Sequence, residues 1–172
     1  MRRLATLFFT VFLLGAATAC NEVNNAPQAQ SGQTLCVADF ETCVNPILDA
    51  SINGRLGAVT CSASGCHDQA AGSGGAFKIF ANAQPASNEM LANFFAAKAF
   101  GNLDSPPQSK LLLEPLQGIS SITGTHTGGD IFPDNSDACY QAIFDWISLR
   151  VDDQNGASCG FCTAAALASC GY

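Results

Sequence analysis

The sequence predicts an all-α domain stapled by disulfides and preceded by an export leader. Apolar residues recur at helical spacing in several stretches, two of them opened by a capping residue. Strand-like alternation is scarce. Nine cysteines in 172 residues suit an oxidised, exported chain better than a cytosolic one.

In chain order the leader comes first. Arg2 and Arg3 are followed by an apolar run, LATLFFTVFLLGAA, and by the small residues Ala17-Thr18-Ala19 before Cys20. A charged start, an apolar middle and a small-residue end make residues 1–19 a secretory signal. A retained membrane anchor is the alternative, but the run is short and abruptly ended. The segment resembles a bacterial lipobox, with Ala17 where that pattern prefers Leu. The resemblance implies a diacylated Cys20, held to a bilayer by acyl burial of about 0.8 kcal/mol per CH₂. Asn21 rather than Asp follows, which by lipoprotein sorting implies an outer-membrane lipoprotein facing the periplasm. Residues 20–35 are mostly polar and read as a flexible tether.

Residues 36–172 form one domain with a cysteine-rich C-terminal extension. In 37–50, Val37, Phe40, Val44, Ile47 and Leu48 recur at helical spacing, and Pro46 predicts a kink or restart. Residues 51–57 read as loop, and 61–75 as glycine-, serine- and alanine-rich turns. Ser87 is placed to cap a helix over 87–100, with Met90, Leu91, Phe94, Phe95 and Ala99 on one face and Gly101 ending it. A short helix over 109–117 is weakened by Pro115. Residues 119–135 read as loop. The strongest helix spans 137–151, capped by Asp137 and lined by Tyr140, Ile143, Phe144, Ile147 and Val151. A short helix closes the chain over 163–169.

Composition sets limits on function. A hydrophobic share of 48% supports a folded globule. Removing Arg2 and Arg3 with the leader takes the formal charge from −7 to −9. So acidic a surface excludes nucleic-acid binding, which needs clustered Lys and Arg, and suits a basic protein partner. Cys36 and Cys43 on one helix would lie about 10–12 Å apart, as would Cys162 and Cys170, beyond the reach of a disulfide. Staples are therefore expected between the N-terminal and C-terminal segments.

Chemistry concentrates at Cys61-Ser62-Ala63-Ser64-Gly65-Cys66-His67. Two thiols followed directly by a histidine are what covalent haem attachment needs: the thiols add to the two vinyl groups and the imidazole reaches the iron. The usual spacing is C-x-x-C-H. Here four small residues intervene and must bulge outward, a spacing that resembles a minority variant among bacterial multihaem cytochromes c. The order of VNPILD, CH, GGAFKIF, SKLLLEPL, THTGGDIF and FDWISL resembles a family of small exported monohaem c-type cytochromes over roughly residues 36–150. The resemblance implies one covalent haem c on Cys61 and Cys66, with His67 as proximal ligand. It also implies an electron-transfer protein, not an enzyme, with redox proteins as partners. It further implies that the first helix packs on the last, with Trp146 near the haem or between those helices.

For the second axial position the chain offers His126, in a glycine-rich loop, and Met90; an open position is the third option. Met90 on an apolar helix face also reads as core filler. The cysteine count leaves alternatives open. Lipid on Cys20 and haem on Cys61 and Cys66 leave six for three disulfides, but a Cys61–Cys66 bond gives an equally even count. The chain then reads as a stapled lipoprotein without cofactor, acting as a binding or envelope-structure module. A zinc or copper site on Cys61, Cys66, His67 and His126 is a third reading. Asp130, Asp134 and Asp137 miss the spacing of a calcium loop and read as caps and solvated surface.

Overall fold

A computed structural model describes residues 34–54, 57–72, 75–119, 126, 128–157, 159, 160 and 170. The leader, Cys20, most of the tether and the helix expected over 163–169 lie outside the described residues.

The first helical stretch forms, but not with one period. α1 (Val37–Asp39) passes into a π-helical turn over Phe40–Val44 and then α2 (Asn45–Asp49). Pro46 stands in the first turn of α2. It has no N–H, and its ring crowds the carbonyl four residues back. The chain meets this with a wider turn, in which the Asn45 N–H donates to the Phe40 carbonyl five residues earlier. Phe40, Cys43, Val44, Ile47 and Leu48 still face inward.

The expectation of an all-α domain is overturned. β1 (Ile52–Gly54) and β2 (Gly57–Val59) pair antiparallel, with Ile52 opposite Val59 and Gly54 opposite Gly57. The fold is a mixed one, of helices with a small sheet, in the stretch read as loop. Strands of three residues are too short to display a period of two, and Gly54 and Gly57 read as punctuation. Gly57 sits at φ 118°, a conformation open to glycine and strained for other residues. Isolated bridges join Thr34 to Val151, Asp68 to Ile79 and Leu116 to Phe132.

α3 (Asn88–Phe100) starts where expected, with the Met90 N–H donating to Ser87 Oγ at 3.0 Å. Its inward face differs from the predicted one. Met90, Asn93, Phe94 and Ala97 are buried, while Leu91 and Phe95 are 40% and 51% exposed and Ala99 is exposed. After a 3₁₀ turn (Pro106–Gln108), α4 (Lys110–Leu113) is shorter than expected, and Pro115 follows close behind it. α5 (Ala138–Ser148) is capped as predicted: Asp137 Oδ1 accepts from the Cys139 and Tyr140 N–H groups at 2.9 and 3.0 Å.

The core closes around Trp146. Its ring lies 5.2 Å from that of Phe40 and 5.9 Å from that of Phe94, so α5, the π turn and α3 meet there. Its indole N–H donates to the Cys36 carbonyl at 3.0 Å, as a buried tryptophan requires. Trp146 thus lies between the first and last helical segments. Two staples reinforce the junction. Cys36 pairs with Cys159, not with Cys43, as expected for a link between the N-terminal and C-terminal segments, whereas Cys139 pairs with Cys170 within the C-terminal part of the chain. Cys43 is disulfide-bonded as well.

The staples close loops of sequence separation 123 and 31. Chain entropy assigns them about 5 and about 3.7 kcal/mol against the unfolded chain. Urea denaturation should show the Cys36→Ala/Cys159→Ala double variant less stable than Cys139→Ala/Cys170→Ala; the reverse order would refute the entropic account.

Candidate functional site

Cys61 follows β2 after Thr60. Its four-residue spacer coils back on itself. The Ala63 N–H donates to the Thr60 carbonyl, the Cys66 N–H to the Ala63 carbonyl, and the His67 N–H to the Cys61 carbonyl at 2.9 Å. The Ser62 N–H ties the loop to the Leu48 carbonyl of α2. Small residues make so tight a return possible. Gly72 closes the following turn, where an added Cβ would stand 2.5 Å from the Asp68 nitrogen, so no side chain fits.

Cys61 and Cys66 are free thiols, whereas Cys36, Cys43, Cys139, Cys159 and Cys170 are disulfide-bonded. Cys61 is partly buried. Burial first, and the neighbouring Cys66 second, push its thiol up to about 12.

His67 is held from two sides. Its Nδ1 lies 2.9 Å from the Phe77 carbonyl oxygen, and its own carbonyl accepts from the Ile79 N–H at 2.8 Å. The Phe77 ring meets the imidazole edge-on at 4.8 Å. A carbonyl only accepts, so Nδ1 carries the proton and the lone pair of the neutral ring is on Nε2.

His126 is held in the same manner. Its Nδ1 lies 3.1 Å from the Gly129 carbonyl oxygen, and the Gly129 N–H donates back to the His126 carbonyl at 2.8 Å. Gly129 is at φ 88°, which favours glycine. An added Cβ on Gly128 would stand 3.0 Å from His126 Cε1, so the ring lies against bare backbone. The loop is anchored to the core where the Ile131 and Phe132 N–H groups both donate to the Pro115 carbonyl. The hairpin missed in the sequence backs it: an added Cβ on Gly54 would stand 3.0 Å from the Asp130 carbonyl oxygen.

The two imidazoles come together, with ring centroids 5.9 Å apart and planes 16° from parallel. Met90 is instead buried in the core. Among the described residues, the one group of three or more potential ligands with atoms mutually within 4.8 Å is Cys36, Asp39 and Cys159, whose sulfurs are consumed in a disulfide. The two thiols and two imidazoles therefore do not converge on a point as a tetrahedral zinc or copper site requires. Asp137 is spent as a cap, and Asp134 accepts from Ser136, whose hydroxyl and N–H hold the carboxyl below its usual range.

Sequence reasoning missed Asn93 and Asn45, both buried. Asn93 clamps Phe80 through both backbone groups and donates to Asn45 Oδ1 at 2.9 Å. Asn45 in turn donates to Asp49 Oδ2 at 3.2 Å. A mid-helix asparagine between Met90 and Ala97 was the available signal.

No protein-family model matches the chain, and neither a curated protein nor a solved structure matches it.

A thiol raised above its ordinary value stays neutral longer in the folded chain than in the unfolded one. Its stabilising contribution is complete below about 9.0 and is lost as pH rises toward about 12. In the haem-free chain, alkylation of Cys61 should quicken about tenfold per pH unit from pH 8 to beyond pH 10, following the thiolate. A plateau near pH 9 would contradict the burial of this sulfur.

Proposed function

We propose that the chain is an electron carrier holding one haem c through thioethers at Cys61 and Cys66, with His67 and His126 as axial ligands. The carrying observation is the meeting of the two histidine rings at 5.9 Å, nearly parallel, from separate loops. Two imidazoles bound to one metal from opposite sides need about 6 Å between centroids, given metal–nitrogen bonds of about 2 Å. Each ring bonds a backbone carbonyl through Nδ1, which leaves the lone pair of the neutral ring on Nε2 and strengthens it as a donor. Two thiols left out of disulfides, while the other described cysteines are bonded, supply the attachment points. The donor types are those that haem c takes.

Haem c supplies a one-electron Fe(III)/Fe(II) couple. The chain's part is to fix ligation and limit water. The Phe77 and Gly129 carbonyls hold the imidazoles in one tautomer. The buried side chains of Phe77 and Ile79 cover the segment that carries His67. Two imidazoles favour a lower potential than a His/Met pair. Export and lipidation at Cys20 place the carrier at the periplasmic side of the outer membrane, and the acidic surface suits a basic redox partner.

The test is a haem stain on a denaturing gel with a pyridine haemochrome spectrum, after expression with export and cytochrome c maturation. Covalent haem should survive denaturation and be lost in the Cys61→Ala/Cys66→Ala variant. A matured product that is colourless and bonded between Cys61 and Cys66 would sink this reading and leave a stapled lipoprotein.

A further inference from the structure

α3 buries an amide in the middle of its inward face. Asn93 is 1% exposed, and its carboxamide is committed in three directions. Oδ1 accepts from the Phe80 N–H at 2.7 Å, and Nδ2 donates to the Phe80 carbonyl at 2.9 Å. The remaining Nδ2 hydrogen goes to Asn45 Oδ1 at 2.9 Å. A side chain that satisfies both backbone groups of one residue acts like a strand partner for it.

The segment so held, residues 77–80, is the one that holds His67. Ile79 bridges to Asp68 and donates to the His67 carbonyl at 2.8 Å, while the Phe77 carbonyl faces His67 Nδ1 at 2.9 Å. Asn93 thus lies one segment behind the proximal imidazole. Through Asn45 it also reaches Asp49.

We infer that Asn93 is a positioning residue of the haem site, setting the Nδ1 hydrogen bond of His67 by clamping residues 77–80. The inference rests on the proposed haem ligation. An outer partner of this kind orients a ligand and raises its basicity, and its loss typically weakens metal binding about 10–100-fold. A weaker bond at Nδ1 makes the imidazole a poorer donor and disfavours Fe(III) more than Fe(II). The midpoint potential should therefore rise when the clamp is lost.

The test uses the full, matured chain. Asn93→Leu keeps the number of side-chain heavy atoms and their branching and removes all three bonds. Its ferric-to-ferrous ratio at fixed potential should fall about tenfold, a rise of about 59 mV for one electron. The Ile79 amide, measured with or without haem, should exchange at least about tenfold faster relative to global opening. Phe94→Leu on the same helix packs against Phe40 and Trp146; it should lower stability yet move neither readout. Should Asn93→Leu not fold, Asn93→Asp takes its place. It has the same size, but its carboxylate cannot donate to the oxygens of Phe80 and Asn45. Loaded haem with an unchanged potential and an unchanged Ile79 exchange rate overturns the inference alone. A wild-type chain without covalent haem overturns the ligation on which it rests.

Discussion

Trp146 packs against Phe40 and Phe94, and its N–H reaches the Cys36 carbonyl. That junction fixes α3 and α5 against the N-terminal helical segment. Burying aromatic rings supplies much of the stabilisation in a core of this size, and the indole hydrogen bond sets the register between first and last helices. The Cys36–Cys159 bond acts at the same place, limiting how far the unfolded chain can separate the elements that meet there. The other parts of the molecule are positioned from this frame. α2 carries the Leu48 carbonyl that anchors the cysteine loop, α3 carries Asn93, and Pro115 behind α4 anchors the loop of His126.

The candidate site is made almost wholly of loops, and loops hold a geometry only if their backbone groups are spoken for. Here they are. The cysteine loop closes on its own carbonyls, the His67 segment pairs with residues 77–80, and the His126 loop pairs with Gly129 and rests on bare backbone at Gly128. In each case the histidine ring is oriented by a main-chain oxygen rather than by a flexible side chain. Such a partner costs little side-chain entropy to immobilise and admits a single tautomer.

The legible parts of the sequence were those governed by local chemistry. Ser87 and Asp137 cap their helices as their side-chain oxygens and positions implied. Cys36 was kept from Cys43 by the rise of a helix. Residues fixed by distant contacts were not legible. The hairpin failed to register because three-residue strands carry no readable period, and its role in backing Asp130 depends on residues far along the chain. The inward face of α3 was misplaced because an amide sits at its centre. Counting apolar residues alone turned the stripe toward Leu91 and Phe95, which are exposed. The motif residues Cys61, Cys66 and His67 were readable as a group, and His126 as a candidate partner, but only the fold brings the two rings to 5.9 Å.

The central claim is that His67 and His126 ligate one iron with nearly parallel ring planes. Low-temperature electron paramagnetic resonance of the oxidised, matured chain tests it most directly. Two imidazoles with planes 16° apart predict a rhombic low-spin ferric signal in the native chain, converted to high spin in His126→Ala. A high-spin native spectrum, or a low-spin signal untouched by His126→Ala, would contradict the account and return the second axial position to Met90 or to an open site.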